Sequence, residues 1–272
     1  MEPKSFVVRG HPATFATRRE AEWKETLASQ VPDPSMEGRE KGVGLRFILA
    51  TLTPAGHPLD VDNLCEPVFT VLVRKAGWFA GGKTNIQWWW ASKEVGAEHG
   101  CEITVYSDSA PDIPEGLPDW DQTYTGVLPS CATSPEVALW ARQLRSEHGI
   151  DWMPETCSLF LGFGSPQVNL GDISTGVVKA FVDCLYPWFG GIAGAPDDHR
   201  ISRLIVQKGA HGLSHDSVNV KLWASGRITQ PLLPGQRRES VRRMKLKPKT
   251  ADGCHYGAIS NPYRPGTGKW TV

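Results

Sequence analysis

Gly171-Asp172-Ile173-Ser174-Thr175-Gly176-Val177-Val178-Lys179-Ala180-Phe181-Val182-Asp183-Cys184-Leu185 is one of two related segments in this chain. After a glycine-rich stretch it reaches Pro196-Asp197-Asp198-His199-Arg200-Ile201 and closes at Lys208. The other segment reads Leu59-Asp60-Val61-Asp62-Asn63-Leu64-Cys65-Glu66-Pro67-Val68-Phe69-Thr70-Val71-Leu72 and runs through glycines to Asn85-Ile86 and Lys93. The intervals Ile86 to Lys93 and Ile201 to Lys208 are equal. The surrounding pattern repeats as well. Trp23 and Leu27 share a helix face, and so do Trp140 and Leu144. The apolar runs Leu45–Leu52 and Cys157–Phe163 precede the two segments, and the offset stays between 112 and 117 from first helix to last strand. So steady an offset predicts an internal duplication.

The fold expected is α+β: two sheet-plus-helix repeats, over residues 1–110 and 127–223, with a basic tail over 224–272. In the first repeat, Phe6–Arg9 reads as a strand. Thr17 and Glu20 read as a capping box opening a helix. Residues 62–74 read as a helix with Asp62 as N-cap and Pro67 in an opening turn. The second repeat follows the same order, with Ser134-Pro135 opening its first helix and residues 176–186 forming its second. Residues 107–126 carry three prolines, five acidic residues and two glycines, which suits a linker. Within 237–249 the tail holds Arg237, Arg238, Arg242, Arg243, Lys245, Lys247 and Lys249 against Glu239 alone, a density suited to phosphate contact.

Composition excludes several classes. The 272 residues are 21% charged and 40% hydrophobic, the balance of an ordinary globular protein rather than a disordered one. Net charge is zero, so a nucleic-acid partner has to be sought in local clusters. The chain lacks an apolar run of about 18 residues, and its start lacks a signal-peptide layout. The six cysteines are scattered without CxxC spacing, which fits reduced thiols and a cytoplasmic setting. The eleven tryptophans read mainly as core. His211, His215, Cys254 and His255 match no closed zinc pattern. Gly81-Gly82 and Gly190-Gly191 are not phosphate-binding loops.

The acidic residues point to metal-assisted phosphodiester hydrolysis. That chemistry needs the phosphate charge neutralised, a water activated and the leaving oxygen stabilised, and carboxylate-held divalent cations do this. Mg²⁺ suits the pattern because it takes oxygen ligands and keeps several waters; Mn²⁺ would serve as well. The sequence pattern for this chemistry is an Asp pair at a strand-to-helix junction, a lysine one turn into the helix to stabilise phosphoryl charge, and another Asp at a neighbouring strand's start; Asp60, Asp62, Asp172, Asp197, Asp198 and Lys179 stand at such places as candidates. Taken alone, Asp60 and Asp62 also suit helix capping, and Asp197-Asp198 also suits a turn.

The pattern resembles that of RusA-type Holliday-junction resolvases: an Asp pair with Asn-Leu, a lysine and an aspartate in the following helix, then an Asp pair before a strand ending in Lys. The first segment matches at Asp60, Asp62, Asn63 and Leu64. It departs at Glu66 where the family has Lys, at Thr70 where it has Asp, and at Gly82-Lys83 where it has the second Asp pair. The second segment matches at Lys179, Asp183, Leu185, Asp197, Asp198 and Ile201. It departs after Asp172, where one residue is inserted and Ser174-Thr175-Gly176 stands for Asp-Asn. The resemblance implies an Mg²⁺-dependent endonuclease of recombination and repair acting on branched DNA. It also implies a fused pseudo-dimer, able to act as a single chain, in place of the family's homodimer. Lys83, standing in a ligand position, would repel a metal. The second half is therefore expected to be the active one, with Asp172 and Asp198 holding metal, Asp197 and Asp183 in support, and a metal-activated water as nucleophile. Two alternatives stay open: a nucleic-acid-binding protein of the same fold without catalysis, and a structural or protein-binding role.

Overall fold

A computed structural model describes residues 2–34, 40–50, 59–79, 81–107, 110–131, 133–147, 152–173, 175–192 and 195–229. The chain divides into two units, Met1–Gln230 and Pro231–Val272, and the second lies wholly outside the described residues. So do all seven tail cations, Arg237 to Lys249.

The first unit is a mixed α+β structure built on one eight-stranded sheet. The strands of its first half are β1 (Lys4–Arg9), β2 (Gly42–Leu49), β3 (Trp88–Val95) and β4 (Gly100–Tyr106), with helices α1 (Glu20–Gln30) and α2 (Val61–Thr70). The second half supplies β5 (Trp120–Thr125), α3 (Glu136–Glu147), β6 (Trp152–Phe163), α4 (Val177–Cys184) and α5 (Tyr186–Phe189). A two-residue pair follows, β7 (Gly191–Ile192) with β8 (Ala195–Pro196), and then β9 (Ile201–Lys208) and β10 (Ser217–Thr229). The sheet order is β1-β4-β2-β3-β9-β6-β10-β5. Read from either edge, the order of equivalent strands is the same. β2 and β3 pair parallel, as do β6 and β9, while every other neighbouring pair is antiparallel. The halves meet at the antiparallel β3–β9 seam, with Trp88 opposite Gln207 and Ser92 opposite Arg203.

Alternation along the strands decides which face the helices cover. Val43, Leu45, Phe47 and Leu49 of β2, and Leu159, Leu161 and Phe163 of β6, are fully buried on one face. Trp23 and Leu27 of α1, and Trp140 and Leu144 of α3, enter a single apolar cluster that spans both halves. Each such side chain contributes about 1.5–3 kcal/mol by leaving water. On the other face of β2, Gly42 and Gly44 lie beside Trp88 and Trp90. The indoles occupy the missing side-chain space: a Cβ on Gly42 would fall 2.1 Å from the Trp88 ring, and one on Gly44 2.5 Å from Trp90.

Three local readings change. The described part of 107–126 is more than a linker, because it carries β5, an edge strand paired with β10. Before β5 it is fastened to the sheet, with Arg203 donating to the Asp112 carbonyl at 2.9 Å and the Trp223 indole to that of Gly116. Thr17 does not cap α1. Ala16 has φ 60, the Glu20 carboxylate accepts from the Ala16 amide at 2.6 Å, and the Thr17 hydroxyl donates to Thr14. Asp60 rather than Asp62 holds the N-cap position of helix α2, without a side-chain capping bond, and Pro67 lies inside the helix. Proline has no N–H for the Asn63 carbonyl, and that carbonyl accepts instead from the Phe15 amide at 3.0 Å.

Candidate metal centre at the seam between the halves

Helix α2 begins at the C-terminal end of β2, and parallel pairing puts the end of β3 at the same sheet edge. Because β9 runs antiparallel to β3, its start comes to that edge too. The result is a cluster drawn from both halves. Asp60 and Asp62 come from the start of α2, and Asp198 from the 3-10 turn before β9. Their ligand oxygens lie within 4.8 Å of one another. Lys179 of α4 places its ammonium 2.7 Å from Asp198, 3.2 Å from Asp62 and 3.2 Å from Asp183. At the end of β3, the Lys93 ammonium donates to the carbonyls of Leu59 and His199, both at 2.6 Å. It thereby ties together the chain segments that carry Asp60 and Asp198.

Asp62, Asp183 and Asp198 are buried and Asp60 is half-buried. Burial pushes the Asp60, Asp62 and Asp198 carboxyls above the usual carboxylate range, with neighbouring acids adding to the shift. Burial also raises Asp183, to about 6, against the opposing pull of Lys179. For Lys179, burial works against the charged form, but the carboxylates of Asp62, Asp198 and Asp183 outweigh it and hold the ammonium firmly protonated. Lys93 is shifted down, because burial outweighs the pull of Asp60, Asp198 and Asp62. Four carboxylates thus face two ammonium groups. One oxygen of Asp62 accepts from the Asn63 amide at 2.8 Å, while the buried Oδ2 has only the Lys179 ammonium, at 3.2 Å and outside good hydrogen-bond geometry. An excess of buried carboxylates over cationic partners is costly unless protons or a further cation balance it. Oxygen-only donors suit a hard divalent ion, though they do not single out Mg²⁺.

The other predicted site residues lie elsewhere. Asp172 is not brought to Asp198. It precedes α4, beyond the C-terminal end of β6, whereas Asp198 stands at the start of the parallel strand β9. The Asp172 turn is fixed towards the far end of the seam. Gly171 approaches Lys83 so closely that a Cβ there would lie 2.7 Å from the Lys83 Cβ, and the Ile173 amide donates to Glu66 at 3.0 Å. The Asp172 carboxylate accepts from the Thr175 hydroxyl at 3.0 Å and lines a groove of about 310 Å³ with Leu128, Ser130 and Val177. Asp197 is not part of the close group of acids, and its carboxylate lies 4.0 Å from the Arg200 guanidinium. Lys93 was legible only as the end of a repeated interval. Its role depends on which carbonyls it reaches, and sequence does not give that.

No protein-family model matches the chain, and a search of curated proteins finds no match.

Proposed function

We propose that the chain is a divalent-metal-dependent phosphodiesterase acting on nucleic acid, of the RusA-like resolvase type, with branched or structured DNA as substrate. The observation that carries this reading is the convergence of Asp60, Asp62 and Asp198 within 4.8 Å, with the Lys179 ammonium beside them. The matched order of elements in the two halves supports the resemblance at the level of fold, in the form of a fused pseudo-dimer. Asp60, Asp62 and Asp198 would hold the metal. When bound, a divalent cation supplies neutralisation of the phosphate charge and a more acidic water. Lys179, held protonated, offers positive charge to the phosphoryl oxygens and does not serve as a base. Lys93 fixes the spacing of the two acid-bearing segments. In the net step, water oxygen bonds to phosphorus, the bond from phosphorus to one sugar oxygen breaks, and that oxygen takes up a proton.

A second reading has a specific observation in its favour. Lys179 already makes ionic contact with three of the carboxylates, as it would in a site that had dispensed with metal. A nicking assay on four-way-junction DNA, with Mg²⁺ and with chelator, separates the two. Mg²⁺-dependent cleavage lost in Asp198→Asn supports the enzyme. Tight junction binding without cleavage supports the second reading.

A further inference from the structure

The β3–β9 seam has a second end, and the pairing there repeats the first with its charges exchanged. Before β9 stands the turn Asp198–Arg200; before β3 stands the turn Lys83–Asn85. The lysines closing the strands behave alike. Lys93 donates to Leu59 and His199, and Lys208 to Val168 and Thr84, so each lysine bonds one carbonyl of its own half and one of the other. In α4, Lys179 meets Asp198 at 2.7 Å; in the equivalent place in α2, Glu66 meets Lys83 at 2.6 Å. One turn on, Asp183 lies 3.2 Å from Lys179, and Thr70 donates to Glu66 at 3.2 Å. Where Asp62 meets the Lys179 ammonium of the other half at the first end, Glu66 accepts from the Ile173 amide of the other half at the second. At the second end the Glu66 carboxylate therefore meets Lys83 and the Ile173 amide, with both its oxygens engaged. Among the described residues, the Asp60–Asp62–Asp198 group is the single set of three close metal-ligating side chains.

We infer that the chain has one hydrolytic centre, and that the pseudo-equivalent position is an internal ion pair that holds the seam without binding metal. The inference rests on the phosphodiesterase reading and narrows it. Each chain cuts one strand per binding event, exchanging one phosphorus–sugar oxygen bond for one phosphorus–water oxygen bond. It leaves one phosphomonoester and one hydroxyl end. A two-fold junction then needs two successive events, whereas two metal sites would allow paired incisions.

Two measurements on the full chain test this. The first is a time course on a supercoiled plasmid with an extruded inverted repeat, in Mg²⁺ and with protein limiting. Nicked circles are expected to accumulate, with linear product following after a lag. Linear product formed directly from supercoiled DNA would overturn the single centre while leaving the phosphodiesterase reading standing. Absence of Mg²⁺-dependent cleavage would overturn both. The second measurement is a calorimetric titration with Mn²⁺ alone. The binding heat is expected to vanish in Asp198→Asn and to persist in Glu66→Gln and in Lys83→Met, provided circular dichroism shows each variant folded. Loss of binding in folded Glu66→Gln would count against the inference, because it would place metal at the second end.

Discussion

At the scale of single residues, the centre is defined by buried acids with too few partners. Replacing Lys179 by Met would leave Asp62, Asp183 and Asp198 without their ammonium partner. In chelator this should cost about 3–5 kcal/mol, the range for breaking a buried pair. Added Mg²⁺ should restore part of the loss, so thermal melts with and without the ion form the check. In cleavage assays, Asp62→Asn should lower the rate on the order of 10²–10³-fold, the scale seen when one preorganised electrostatic group is removed. The pH behaviour has a definite sign. The Asp183 pKa is raised to about 6 in the folded state, so between roughly pH 4 and that value the folded protein keeps a proton that the unfolded chain has released. Its contribution is therefore fully present below about pH 4 and falls as pH rises through this window, by on the order of 3 kcal/mol. Asp60, Asp62 and Asp198 are shifted in the same direction. Metal must displace those protons, so Mn²⁺ affinity should strengthen as pH rises. Calorimetry in buffers of different ionisation enthalpy would reveal the proton release, and an affinity independent of pH would contradict this account.

At the scale of elements, the strands follow their alternation and the helices depend on what meets their ends. Helix α2 tolerates Pro67 because the Asn63 carbonyl is taken by Phe15, a residue far away in sequence. Nothing local to residues 61–70 indicates that bond. The expected cap at Thr17 failed for a related reason: Glu20 is drawn to the Ala16 amide by a backbone turn with positive φ. The open side of β2 makes a sharper test. Gly44→Ala would set a methyl group into the Trp90 indole, and Gly42→Ala would do the same to Trp88. Each should destabilise by about 1–3 kcal/mol or slightly more through overpacking, measurable as a shift in the denaturant midpoint. Ser92→Ala, on the same face of β3 but away from these contacts, serves as the control.

At the scale of the whole molecule, the two halves of the first unit share a sheet and a core. Trp23 and Trp140 are equivalent, and each is almost fully buried in the same apolar cluster. Trp23→Ala and Trp140→Ala should each cost about 3–5 kcal/mol and shift one common unfolding transition. Two separate transitions, each moved by one variant only, would show that the halves unfold independently. The antiparallel seam also explains how an uneven sharing of acids yields one centre. It brings the front pair, Asp60 and Asp62, to the rear acid Asp198 and to Lys179, so the centre belongs to neither half alone.

Much of the architecture could be read from the sequence, because the constant offset repeats a complete order of elements and alternation reports burial locally. Asp60, Asp62, Asp198 and Lys179 could be read as candidates for the same reason. Their grouping could not. Whether Asp198 joins Asp172 of its own half or Asp60 and Asp62 of the other depends on the direction in which β9 pairs. That direction is set by contacts between strands more than a hundred residues apart. The sequence by itself carried the helix and strand signals of a mixed α+β chain, their regular spacing, and an unequal distribution of acidic residues along it. The tertiary structure decided that antiparallel pairing at β3–β9 gathers the acids of both halves at one end of the seam, while at the other the Glu66–Lys83 pair of the first half meets the Ile173 amide of the second.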